Sequence, residues 1–155
     1  ESLSYTGADI AQPQADLMAR LADPELDAIV ICPSNPQLSI EPILALNGVR
    51  EALRLSKVPV VAVSPLIGGK AVKGPAAKIM QELEIPVDST GIAQVYLDFI
   101  NGLVIDQADE LDAAYVSVPT VVTQTLMKSP EDALSLAQAT LEFADKLRLE
   151  ATQTK

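Results

Sequence analysis

The stretch Val60-Val61-Ala62-Val63-Ser64-Pro65-Leu66-Ile67-Gly68-Gly69-Lys70-Ala71-Val72-Lys73-Gly74-Pro75 decides how this chain is read. It opens as an apolar, β-branched run that ends at Ser64 and breaks at Pro65. Three of the chain's seven glycines and two lysines fall between Gly68 and Gly74, and helix-forming residues follow over 76–83. Glycine tolerates positive φ and lets a ligand approach the backbone closely. A strand, a glycine-rich turn and a helix in that order present N–H groups that favour an anion, usually phosphate. The stretch therefore reads as the phosphate-handling edge of an active site. The competing reading is a wide connection that holds no ligand.

The charge pattern favours the first reading. The 155-residue chain has a formal net charge of −10 and no histidine. Between Arg50 and Lys78, however, stand six basic residues (Arg50, Arg54, Lys57, Lys70, Lys73 and Lys78) against a single acid, Glu51. A basic island in an acidic protein focuses anions. Arg54, Lys57 and Lys78 suit solvated helix faces. Lys70 and Lys73 lie inside the glycine-containing loop, where that explanation does not apply.

Composition narrows the class. The length suffices for one domain, residues 1–155, with a real core. Apolar residues make up 48% of the chain but aromatic ones only 3%, and aliphatic cores of that kind suit α/β layers. The negative charge argues against nucleic acid as the main partner. No apolar run approaches the roughly 20 residues that cross a bilayer, and no signal peptide is visible. The lone Cys32 makes no internal disulfide, and without histidine there is no Cys/His zinc site. A cytoplasmic protein is expected.

Taken in order, the chain alternates strands and helices. A short helix is expected over 13–22, stopped at Asp23-Pro24. Residues 28–32, Ala-Ile-Val-Ile-Cys, read as a buried strand that breaks at Pro33-Ser34-Asn35-Pro36. Two prolines bracket Ser34 and Asn35 on a stiffened turn past a strand's carboxyl end, where parallel sheets bind ligands. An ordinary turn uses the same residues. A helix follows Ser39 and Pro42, with Gly48 marking close packing or a break. The second strand covers 58–64. Each of these strands ends in a Ser/Pro-containing loop followed by a helix, which predicts a three-layer α/β fold with a mostly parallel, Rossmann-like sheet and helices on both faces. Right-handed crossovers then bring both loops to one edge.

Further on, residues 85–87 read as a short strand, Ser89 or Thr90 as a helix cap, and 103–105 as a third strand ending at Asp106. The acids Asp109, Glu110 and Asp112 offer oxygen ligands to Mg²⁺. An acidic first helical turn, matched to the helix dipole, is the preferred account. Residues 115–118 read as a fourth strand, and Val121-Val122 extends the apolar character past Pro119. Ser129-Pro130-Glu131-Asp132 opens a last helix, expected to reach about Leu147.

These segments carry a family resemblance. Pro33-Ser34-Asn35-Pro36, Ser39-Ile40, Pro42-Ile43-Leu44, Gly48-Val49-Arg50-Glu51-Ala52-Leu53, Val61-Ala62-Val63-Ser64-Pro65 and the block from Ile67 to Lys78 resemble the 2-phospho-L-lactate transferase family of deazaflavin coenzyme biosynthesis. The resemblance covers roughly residues 25–145 and corresponds to the C-terminal half of such an enzyme. It implies a nucleotide-binding transferase. A phospholactyl or phosphoenolpyruvyl unit moves from a guanosine diphosphate (GDP)-linked donor to a hydroxyl of the deazaflavin precursor, GMP leaves, and Mg²⁺ assists. Such a reaction is mostly positioning and charge neutralisation of a diphosphate. Ser34, Asn35, Ser64, Gly68, Gly69 and Gly74 are the expected donor-binding residues, and Lys70 and Lys73 the catalytic charges.

The departures are as informative. The family's N-terminal glycine-rich strand-turn and its metal-associated aspartate have no counterpart here, so no metal ligand is expected in this chain. Glu84 stands where the family usually has glycine, and Asn47 where proline is common. The chain starts at Glu1 without methionine, and the missing half is expected in a longer chain or a second polypeptide, with a homodimer as a further possibility. Two other readings compete. A non-catalytic, nucleotide-sugar-binding regulator would share the architecture but not the intact Pro-Ser-Asn-Pro and Gly-Lys-Ala-Val-Lys-Gly-Pro motifs. A purely structural half would supply a subunit interface while the chemistry lies elsewhere.

Overall fold

The computed structural model describes residues 2–71 and 74–153. In chain order it runs α1 (Ala15–Leu21), β1 (Ile29–Ile31), a π-helical turn (Pro36–Ile40), α2 (Glu41–Leu44), α3 (Val49–Arg54), β2 (Val60–Val63), β3 (Leu66–Ile67) and β4 (Lys70–Ala71). It continues with α4 (Ala76–Glu82), α5 (Ser89–Tyr96), β5 (Gly102–Asp106), a 3₁₀ segment (Gln107–Ala114), β6 (Thr120–Thr123) and α6 (Pro130–Gln153). The main sheet has the order β1-β2-β5-β6, parallel throughout, and β3 and β4 form a small antiparallel hairpin. This is the expected Rossmann-like α/β arrangement.

Strand periodicity explains the layers. Side chains alternate between the two faces of a strand. On one face Ile29, Ile31, Val60, Ala62, Leu103 and Ile105 pack against residues of α1, α3, α4 and α5, such as Met18, Leu53, Met80 and Tyr96. On the other, Val61, Val63 and Val104 pack against Leu136, Phe143 and Ala144 of α6. All five residues of β5 are buried, which is why Leu103 to Ile105 read as an unbroken apolar run. Burying each such Val, Leu or Ile side chain contributes about 1.5–3 kcal/mol. Gly102 lets α6 come close, since a Cβ there would lie 2.6 Å from Phe143 Cε1.

Local chemistry sets the ends of the helices. Gly48 takes φ +81° and separates α2 from α3, so the break is the correct reading of that glycine. Asp88, rather than Ser89 or Thr90, caps α5 by accepting the N–H groups of Thr90 and Gly91. Ser129 and Asp132 form a reciprocal cap on α6: Asp132 N donates to Ser129 Oγ, and Ser129 N donates to Asp132 Oδ2. That helix runs to Gln153, beyond the expected end near Leu147. The ion pairs Arg148–Asp145 and Lys146–Glu150 support the extra turns.

Two expected strands are absent. Residues 85–87 make no sheet pairing, because Ile85 closes the end of α4 by donating its N–H to Met80 O. The fourth strand is Thr120–Thr123 and not residues 115–118. The 3₁₀ segment ends in a turn that leaves Tyr115 79% exposed, and pairing with β5 begins only where Leu103 N donates to Pro119 O.

Candidate active site

The carboxyl ends of β1, β2 and β6 surround a cavity of about 360 Å³, lined by Pro33, Ser34, Ser64, Pro65, Ile67, Thr125, Leu126 and Met127. Ligands of open parallel sheets bind at this end of the strands. The two turns singled out in the sequence therefore meet in one place.

The proline-bracketed turn is built by its own side chains. Asn35 Oδ1 accepts the N–H groups of Gln37 and Leu38, each at 3.0 Å, and so starts the π-helical turn. Asn35 thus serves as a cap, and Ser34 is the member of the pair that lines the cavity. The Nδ2 of Asn35 and the Oε1 of Gln37 are buried with no hydrogen-bond partner among the described residues. Such π-turns recur at functional sites.

Just past β2, Ser64 N donates to Val104 O at 2.8 Å, and its Oγ accepts Leu66 N at 3.2 Å. Ser64 lines the cavity, and its Oγ makes no donated hydrogen bond to the described residues. Beyond Pro65 the chain forms a tight hairpin. Gly68 and Gly69, at φ +59° and +67°, make its two-residue turn. Positive φ at both central positions is what such hairpin turns require. The N–H of Gly68 donates to Asp109 Oδ2 at 2.9 Å, and that of Gly69 to Asp109 Oδ1 at 2.7 Å. An internal carboxylate thus occupies the amides that the sequence reading assigns to a phosphate. Lys70 follows directly, exposed and without an ion pair among the described residues. Gly74 is exposed at φ +78°. Lys73, the second lysine expected to act, lies outside the described residues.

Much of the basic island is neutralised. Arg50 pairs with Asp98 at 2.7 Å and Glu41 at 3.2 Å and lies over the Phe99 ring. The hydrogen bond that Arg50 donates to Asp98 raises the Arg50 pKa, and the same bond lowers that of Asp98. Arg54 pairs with Glu51, and Lys78 with Glu82. Lys70, paired across the hairpin with the cavity residue Ile67, has no ion pair among the described residues.

The acids after β5 tie loops down. Asp106, 6% exposed, accepts Ala108 N on Oδ1, and accepts both the N–H and the hydroxyl of Thr125 on Oδ2, at 2.8 and 3.0 Å. Burial acts to raise its pKa, but hydrogen bonds from Ala108, Thr125 and Leu126 outweigh that and hold it below the usual value. Asp112 accepts Ser89 N. With these carboxylates bonded to amides, the described residues do not fit a magnesium site, and no three acidic or cysteine side chains among them converge to hold a metal.

The sequence reading missed Asp106, Thr125 and the anchoring role of Asp109. The available signal was Gly-Gly between the short segments Leu66-Ile67 and Lys70-Ala71, a hairpin pattern. A hairpin there calls for a partner to hold its tip.

Fold and cavity together define an α/β protein with a parallel sheet and a cavity at the strands' carboxyl ends. The profile of the 2-phospho-L-lactate transferase CofD family matches residues 2–139, and the chain belongs to that family of transferases. It is 42% identical over 121 residues to a 2-phospho-L-lactate transferase of Methanocaldococcus jannaschii, covering 78% of this chain and 38% of that protein. A phosphoenolpyruvate transferase of Kitasatospora aureofaciens is 35% identical over 152 residues, covering 96% and 47%. A 2-phospho-L-lactate transferase of Methanococcoides burtonii is 44% identical over 115 residues, covering 72% and 37%. The chain spans less than half the length of these curated relatives. Among the described residues, no helix is long and apolar enough to cross a membrane.

Proposed function

We infer that this chain supplies the donor-binding part of a transferase. That enzyme moves a phospholactyl or phosphoenolpyruvyl group from a GDP-linked donor to a hydroxyl of a deazaflavin precursor. The acceptor oxygen bonds to the phosphorus carrying the three-carbon acid, the acceptor hydroxyl gives up its proton, the P–O–P bridge breaks, and GMP leaves. The setting is the cytoplasm. Ser34 and Ser64 hydrogen-bond the diphosphate in the cavity, Gly68 and Gly69 shape its hairpin wall, and Asn35 and Gly74 hold the adjoining turns. Lys70, aided by Lys73, offsets charge on the leaving phosphate. Preorganised charge of this kind stabilises a phosphoryl-transfer transition state. Mg²⁺ would find its ligands outside this chain, in the remaining part of the enzyme.

The observation that carries this reading is the shared cavity of Ser34 and Ser64, whose wall residue Ile67 pairs across the hairpin with Lys70, a residue without an ion pair among the described residues. A second observation supports a further polypeptide part. β1 is an edge strand, and Val30 and Cys32 on its α6-facing side are exposed, beside an apolar groove that Leu141 also lines. An unpaired parallel edge invites another strand. Titrating the chain with GDP and, separately, with uridine diphosphate sugars tests the donor assignment. Selective binding of GDP is expected. Preference for the uridine compounds favours the regulator reading instead.

A further inference from the structure

Both loop walls of the cavity hang from one short segment. Asp109 holds the Gly68-Gly69 turn through two charge-assisted hydrogen bonds, with Ile67 at the cavity on one side of the turn and Lys70 on the other. Asp106, three residues earlier, holds Thr125, and with it Leu126 and Met127 on the opposite wall. These bonds add to other holds: Leu66 is buried in the core with Ala71 packed against it, and on the opposite wall Gln124 Nε2 donates to Leu126 O and Asp132 Oδ1. The hairpin has two residues in each strand, too few to be stable alone. Residues 124–129 lie outside regular structure.

We propose that Asp109 and Asp106 are positioning residues that set the two walls of the cavity, with Asp109 acting on a bound diphosphate through Lys70. The ligand part rests on the donor reading above. While Asp109 holds the glycine amides, a phosphate group cannot take them. It is met instead by the Lys70 ammonium and the serine hydroxyls. The carboxylate fixes the turn, and the turn fixes where the lysine backbone starts.

The test compares the full chain with D109N, K70A and D109N/K70A, using GDP as the probe in calorimetry and amide hydrogen exchange as the structural readout. D109N is expected to weaken GDP binding about fivefold, and the double variant to bind within about twofold of K70A alone, because residues acting through one another are not additive. Fully additive losses overturn the proposal. Exchange at Gly68 and Gly69 is expected to speed up in D109N while residues 60–63 and 102–105 stay protected. D106N is expected to release residues 125–127 in the same way. Unchanged exchange at those amides overturns the wall assignment. If the parent chain binds no GDP, the donor reading fails, and the exchange measurements alone decide the role of the two carboxylates. Should D109N lose sheet protection, D109E takes its place. Equal GDP affinity despite shifted Gly68 and Gly69 amide resonances then overturns the link to Lys70.

Discussion

Ile85 donates its N–H to the carbonyl of Met80 at 2.9 Å, closing the end of α4, and Glu84 between them is held at φ +58°. Glu84 N also donates to Gln81 O at 3.0 Å, which completes a Schellman-type helix stop. The left-handed residue of such a stop is usually glycine, and the family resemblance places glycine there. Replacing Glu84 with glycine is expected to stabilise the chain by about 1 kcal/mol by relieving left-handed strain. Urea unfolding measures it. A loss of stability would show that the Glu84 side chain makes a contact that outweighs the strain.

Gly102 sits under α6, where an added Cβ would come within 2.6 Å of Phe143 and 2.8 Å of Leu147. Gly102→Ala is expected to cost about 1–3 kcal/mol through overpacking. Pairing it with Phe143→Leu is expected to return part of that loss. Equal unfolding midpoints for the parent and G102A would contradict the packing assigned to α6.

Asp106 gives a pH dependence of definite sign. Its carboxyl is held below the ordinary value of 3.8 in the folded chain. Its contribution to stability is therefore complete above that value and is lost as pH falls through the lower folded value. D106N is expected to be less stable than the parent at neutral pH, with the gap closing below about pH 4. Acid titration of both proteins, followed by circular dichroism, measures the gap. A gap that stays constant to about pH 2 would rule out the ionised carboxylate as its source.

How much of this was legible follows from what each residue responds to. The runs 60–63 and 103–105 were readable because central parallel strands are buried on both faces, so their sequence is apolar throughout, and 29–31 has the same apolar look although it is an edge strand. Tyr115 to Val118 has the same look, but register with β5 starts after Pro119, and no local pattern states a register. The turn at Ser34 was placed correctly because proline fixes the backbone locally. The contacts of Asp106 and Asp109 span 19 and about 40 residues, and only the folded sheet brings them to the cavity.

The chain alone is expected to lack transferase activity, because the carboxylates after β5 are bonded to backbone amides rather than turned toward a metal. Incubation with a GDP-linked donor, Mg²⁺ and a deazaflavin acceptor is expected to release no GMP. Detected GMP would mean that the chain carries a complete site.

The central claim is that the cavity between Ser34 and Ser64, beside Lys70, receives the diphosphate of the donor. Titrating the isotope-labelled chain with GDP and following its amide resonances tests this most directly. The largest shifts are expected at Ser34, Ser64, Ile67, Lys70 and Thr125. Shifts confined to the cavity at the opposite, amino-terminal ends of the strands, around Ser56, Lys57 and Arg148, would contradict it.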